Sequence, residues 1–162
     1  MKKIFIISER TAAFTGHRKV PFGKQREVEL KLNKAIHERY QRGIRDFLCG
    51  MAIGFDMFAA EAVINLKKEL PHIRLIAVVP YRGQCERWNI VLQNKYHELL
   101  NQADRIIILS EYYFNGCMLR RNDFMLENAG HIIAFFNGKE EGGTYYTTKK
   151  AKAANKQITN IY

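Results

Sequence analysis

Residues 44–63 read Ile44-Arg45-Asp46-Phe47-Leu48-Cys49-Gly50-Met51-Ala52-Ile53-Gly54-Phe55-Asp56-Met57-Phe58-Ala59-Ala60-Glu61-Ala62-Val63, and this stretch decides the fold class. Ile44–Cys49 is a short apolar run of strand length. Gly50-Met51-Ala52-Ile53-Gly54 breaks it with two glycines. A helix over about 55–69 follows, with Phe55, Phe58, Ala59, Ala62, Val63 and Leu66 on one face. Pro71 prevents its continuation. A strand that passes through a glycine turn straight into an amphipathic helix is half of a β–α–β unit.

The same alternation extends both ways. Upstream, Thr11–Thr15 is a small-residue strand that ends at Gly16-His17-Arg18, and Pro21 and Gly23 mark the loop before a helix of roughly 24–42. Val28, Leu32, Ala35, Ile36 and Tyr40 form the buried face of that helix, and Gly43 stops it. Downstream, Ile73–Val79 is an almost continuous apolar run, as in a strand covered on both faces. It ends at Pro80-Tyr81-Arg82-Gly83-Gln84. A helix at about 86–101, a strand at Arg105–Leu109, a loop Ser110–Gly116, a helix from Met118 to Ala129 and a strand His131–Phe136 follow. Gly138–Gly143, a helix near 144–155 and Ile158–Ile161 complete the chain. Strand and helix alternate at least five times. This predicts an α/β fold, Rossmann-like and doubly wound, with a mainly parallel sheet and helices on both faces. A single domain is expected over 1–162, with 1–10 as an N-terminal extension or extra strand.

Composition narrows the setting. The 162 residues are 47% hydrophobic and 26% charged, as in ordinary globular proteins. No apolar run approaches the roughly 20 residues that span a bilayer, so no membrane partner is expected. Cys49, Cys85 and Cys117 are odd in number and widely spaced, which suits a reducing, cytoplasmic setting. The five histidines show no metal-ligand spacing, so no metal is expected and no cofactor is required. A net charge of +10 favours anionic partners. A phosphate-bearing ligand, nucleic acid and a solvated basic surface all satisfy it.

In doubly wound sheets, ligands bind outside the carboxyl ends of the strands. Glycine and polar residues gather there: Gly16, His17 and Arg18; Gly50, Gly54 and Asp56; Arg82 and Gln84; Arg121 and Asn122; Gly142, Gly143 and Thr144. Gly50-x-x-x-Gly54-x-Asp56 joins a strand to a helix N-terminus, where backbone N–H groups can approach a phosphate. A tight turn with Asp56 as a helix cap explains the same residues. Gly142-Gly143-Thr144 offers a second such turn, with Thr144 as N-cap or ligand hydroxyl. Arg121 suits bidentate phosphate pairing. Asn122 shares a face with Met118 and Met125 and needs a partner if buried. Tyr81, Trp88, Tyr112 and Tyr113 can stack on a base, although Trp88 at helical spacing equally fits the core. Cys85 and Cys117 have no assignable base and read as inert thiols.

Five segments in order, Ala13–Arg18, Gly50–Glu61, Val79–Gln84, Gly116–Asn122 and Gly142–Tyr146, resemble the YpsA-like group of the SLOG superfamily, over residues 11–162. That superfamily also holds the bacterial DNA-processing protein DprA/Smf and the Lonely Guy (LOG) enzymes. The resemblance implies a Rossmann-like fold and binding of a nucleotide or nucleotide-derived ligand such as ADP-ribose or an NAD-related molecule. It also implies self-association, since relatives often form dimers or larger assemblies. Lonely Guy enzymes cleave the N-glycosidic bond of nucleoside monophosphates with an arginine on one helix and a glutamate after a Gly-Gly-x-Gly-Thr loop. Met118-x-x-Arg121 and Gly143-Thr144 match parts of that arrangement, but Thr147 stands where the glutamate is expected. A hydroxyl cannot replace a carboxylate that activates water or stabilises an oxocarbenium-like centre.

Three functional readings follow, in this order. The first is binding or sensing of a nucleotide-derived ligand at the strand ends. The second is an N-glycosidase or phosphoribohydrolase whose acid or base is Asp56 or Glu61. The third is DprA-like DNA binding, expected to weaken with salt.

Overall fold

The computed structural model describes residues 6–162. Part of the apolar run Ile4–Ile7 therefore lies outside the described residues; Ile6 and Ile7 are irregular, and Ser8–Arg10 is a short 3-10 turn. The strands are β1 (Thr11–Gly16), β2 (Asp46–Cys49), β3 (Arg74–Val79), β4 (Arg105–Ile108), β5 (His131–Phe135) and β6 (Gln157–Asn160). The helices are α1 (Gln25–Gln41), α2 (Phe55–Leu66), α3 (Ile90–Asn101), α4 (Cys117–Asn128) and α5 (Gly142–Ala153). The strands form one sheet in the order β4-β3-β2-β1-β5-β6, and every pairing is parallel. The fold is Rossmann-like α/β.

Strand alternation divides the core into two layers, because successive side chains point to opposite faces. Ala12, Phe14, Phe47, Cys49 and Leu75 pack with α1, α2 and α3 through Leu32, Ile36, Phe55, Val63 and Leu99. Ala13, Leu48, Ile76, Val78 and Ile132 pack on the other face with α4 and α5 through Met125, Leu126 and Ala151. From β1 the chain winds outward through β2 and β3 to β4. It then returns by α4 to place β5 on the far side of β1. Connections therefore leave β1 and β5 in opposite directions, and a crevice opens between them at the carboxyl end.

The elements follow the periodicity, and the starts of three helices differ in detail from expectation. The helix expected from residue 86 begins at Ile90, where Asn89 caps it by accepting the Leu92 amide at 2.9 Å. Trp88 lies in the preceding turn and meets Tyr96 edge-on, with ring centroids 5.3 Å apart. The last helix begins at Gly142 rather than Thr144, with Glu141 as N-cap. Both glycines thus lie inside its first turn. Asp56 is the second residue of α2 and not its cap, which is Gly54.

Candidate functional site

A cleft of about 450 Å³ occupies the crevice between β1 and β5. Phe14–Arg18 form one wall, Glu141–Thr144 the opposite one, and α4 contributes Met118, Leu119, Arg121, Asn122 and Met125. Ala52 and Asp56 close the floor from the loop after β2. Of the residues expected from sequence, Gly16, His17, Arg18, Asp56, Arg121, Asn122, Gly142, Gly143 and Thr144 meet here.

Arg121 is the best-anchored of these groups. Its side chain is buried; Nε donates to Asn122 Oδ1 at 2.9 Å and Nη1 to the Gly50 carbonyl at 2.7 Å. The missing side chain of Gly50 makes room for this group: a Cβ there would lie 2.6 Å from Nη1, so the guanidinium would have to shift. Gln84 adds a second donor to the same carbonyl, with Nε2 at 3.2 Å. Gly50 and Gln84 thus lie beneath the cleft as supports of Arg121. Nε and Nη1 each donate to a protein acceptor, and Nη2 has no protein partner among the described residues.

Asp56 is buried opposite. Its Oδ2 accepts the Ala52 amide at 3.2 Å. Burial raises the carboxyl above its usual range, while Arg121, the Ala52 N–H and Arg18 pull the other way. His17 is held as a neutral ring: burial lowers it below the usual imidazole value, and Nε2 accepts the Asn137 amide at 2.9 Å. That bond places any ring proton on Nδ1. At the other wall, α5 begins without a side-chain cap. The first-turn N–H groups of a helix have no acceptor within it, and its dipole favours an anion there.

The remaining candidates lie elsewhere. Gly54 (φ +90°) does not line the cleft; the position of its missing Cβ falls 2.1 Å from the Arg18 carbonyl oxygen. It lets the β2–α2 turn press against the β1 loop, where Phe55 N–H donates to the His17 carbonyl at 3.1 Å. Arg82 is exposed and doubly bonded to Glu111 at 2.7 and 2.9 Å. Glu61 pairs with Lys95 at 2.9 Å outside the cleft. Tyr81, Tyr112 and Tyr113 do not line it either, and Tyr81 packs edge-on to Tyr113. Thr147 is buried in α5, with its hydroxyl unpartnered among the described residues. All three cysteines are buried and free. Cys85 Sγ lies 3.6 Å from His97 Nε2, a neighbour that sequence did not indicate, and burial raises that thiol. Among the described residues there is no group of three metal-ligating side chains and no helix long and apolar enough to cross a membrane.

Sequence reasoning missed Phe14, Thr15, Ala52, Leu119 and Glu141 as cleft residues. It read Met118 and Met125 as positions on the Asn122 face of a helix, without a role in the site. Their shared helical face with Asn122 was the available signal, since a face that presents an asparagine is not purely core.

The family model described as YspA SLOG family (YpsA) matches residues 13–162. The chain belongs to the YpsA family of SLOG proteins. Among similar proteins, a UPF0398 protein of Brevibacillus brevis is 26% identical over 157 residues, covering 93% of this chain and 81% of that one. The SPbeta prophage-derived protein YoqJ of Bacillus subtilis is 32% identical over 108 residues, 59% of this chain and 63% of its own. Among solved structures, DNA processing protein A of Helicobacter pylori, described for its single-stranded DNA binding mode, superposes with a TM-score of 0.60 at 19% identity. The match covers 93% of this chain and 64% of that protein. The protein TM1055 superposes with a TM-score of 0.55 at 15% identity, over 92% of this YpsA chain and 72% of its own. At these identities the likeness is one of fold.

Proposed function

We propose that the protein binds a nucleotide or nucleotide-derived small molecule, ADP-ribose and NAD-related compounds included, in the cleft between β1 and β5. The observation that carries this reading is the pairing of the uncapped α5 N-terminus at Gly142–Thr144 with a buried, preorganised arginine across the same cleft. The helix end supplies N–H donors for a phosphate, and Arg18 lies at the rim. Phe14, Met118, Leu119 and Met125 supply apolar wall, and the volume of about 450 Å³ is ordinary for a small-molecule site. Titration calorimetry with ADP-ribose, NAD and AMP tests the reading. Saturable heat is expected with at least one of them, weakened by Arg121→Ala. Absence of both heat and thermal shift at millimolar ligand overturns it.

A second reading, N-glycoside hydrolysis, is favoured by one observation: Asp56 is a buried carboxyl within the cleft, shifted toward its protonated form. Glu61, tied to Lys95, does not share that position. Thr147 supplies no carboxylate, which keeps binding ahead of catalysis. Release of free base from a panel of nucleoside monophosphates, abolished by Asp56→Asn, would reverse that order. Nucleic-acid binding stands third, on the net charge of +10 and the likeness to DNA processing protein A. It requires affinity for single-stranded DNA that falls steeply with salt.

A further inference from the structure

The floor of the cleft holds two opposite charges that share one space without meeting. Asp56 is 6% exposed and Arg121 7%, and both line the cleft. Each spends part of its bonding capacity on the protein, Asp56 Oδ2 on the Ala52 amide and Arg121 Nε and Nη1 on Asn122 and Gly50. Among the described residues, no hydrogen bond or ion pair joins the two side chains, and Asp56 Oδ1 and Arg121 Nη2 have no protein partner. Neither atom is sealed off, because the buried side-chain atoms left unpartnered are Gln84 Oε1 and Thr147 Oγ1. Both residues line the cleft, so a bound group there is within their surroundings.

Buried opposite charges gain from direct contact, and leaving them apart is costly unless something lies between them. Here each partner is held back by its own anchor. A group that fits the gap has to accept from a guanidinium N–H and donate to a carboxylate. A hydroxyl does both with one oxygen. A fully ionised phosphate only accepts and is repelled by Asp56; an ammonium only donates and is repelled by Arg121.

We infer that Asp56 and Arg121 form a sugar-hydroxyl subsite, in which a ribose hydroxyl of the ligand bridges the carboxylate and the guanidinium. The phosphate of the same ligand lies at the Gly142–Thr144 end. The carboxylate form of Asp56, which burial disfavours, gains a donor when the hydroxyl arrives. This inference rests on the nucleotide-binding reading and specifies which part of the ligand meets the floor. It also predicts that a ribose is selected over a deoxyribose by a cleft whose anion-binding end treats the two alike.

The experiment compares AMP, 2′-deoxy-AMP and 2′,3′-dideoxy-AMP by calorimetry at one ionic strength on the wild type, Asp56→Asn and Asp56→Ala. In the wild type, loss of the hydroxyls is expected to weaken binding by about tenfold or more, because a buried charged partner is left unpaired. Asp56→Asn retains an acceptor oxygen and keeps most of the preference. Asp56→Ala loses it, so that the three ligands bind within about threefold of one another, as expected when the group read by the hydroxyl is gone. Equal wild-type affinity for AMP and its dideoxy form overturns the hydroxyl subsite and leaves the cleft reading standing. Absence of binding by all three and by ADP-ribose overturns both. The ligand series on the wild type decides the matter even if Asp56→Ala fails to fold.

Discussion

Replacing Gly54 by alanine puts a methyl group where the main chain already runs. The added Cβ falls 2.1 Å from the carbonyl oxygen of Arg18, 2.4 Å from its carbon and 2.7 Å from its Cα, all backbone atoms with no rotamer to move aside. To reach even a 3.0 Å contact, the β1 loop has to retreat by nearly an ångström. The residue also sits at φ +90°, ψ −124°, a conformation that only glycine adopts easily. That strain costs about 1–3 kcal/mol. Loss of the bond from Phe55 N–H to the His17 carbonyl adds about 1 kcal/mol. With the displaced packing, Gly54→Ala is expected to destabilise by about 3–5 kcal/mol, or roughly 10 °C in melting temperature at this size. Gly116→Ala is the control, since φ is +91° with ψ near 1° and no atom within 4 Å of the added Cβ. Its cost is the left-handed penalty of about 1 kcal/mol. Urea unfolding of both variants measures the difference. If Gly54→Ala falls within about 1 kcal/mol of Gly116→Ala, close approach to Arg18 is not why position 54 is glycine.

Three further outcomes are expected. Thr147→Val removes a buried hydroxyl that bonds to nothing among the described residues, so stability should stay level or rise by up to about 1 kcal/mol; a clear loss in urea unfolding would show a bond at that oxygen. Burial holds His17 and His131 below the usual imidazole value, with Arg39 and Arg42 contributing at His131. The unfolded chain therefore takes up these protons first, and the stability from neutral rings is complete above about pH 6.5 and lost as the pH falls below it. A His17→Gln, His131→Gln double variant should lose less stability than the wild type between about pH 7.5 and pH 5.5, the range in which imidazoles titrate. Finally, Arg82 belongs to an exposed pair with Glu111 outside the cleft. Arg82→Ala should leave both stability in urea unfolding and nucleotide affinity in calorimetry unchanged.

The strand–helix alternation was legible because glycine and proline punctuate it and because each helix shows one apolar face. The opening of α3 was not. Trp88 continues the spacing of Val91 and Leu92 backwards past the real boundary at Asn89, whose cap outweighs the hydrophobic pattern. Gathering glycine and polar residues at strand ends located the cleft, since parallel topology delivers every such end to one side. Which of them meet depends on strand order, and no local pattern encodes that. Arg82 and Glu111 pair because β3 and β4 are neighbours. Gly142 meets His17 across the cleft because β5 lies beside β1. The roles of Gly50 and Gly54 illustrate the same point. Both read as phosphate turns, and both instead make room for other parts of the protein, one for a guanidinium and one for a stretch of backbone.

The missing side chain at Gly50 has an evolutionary corollary. The space it leaves is occupied by the guanidinium of a residue 71 positions away, so the two positions cannot drift independently. A side chain gained at position 50 displaces the guanidinium at 121 from the place where it is anchored. Positions 50 and 121 should therefore tend to change together across descendants of a common ancestor.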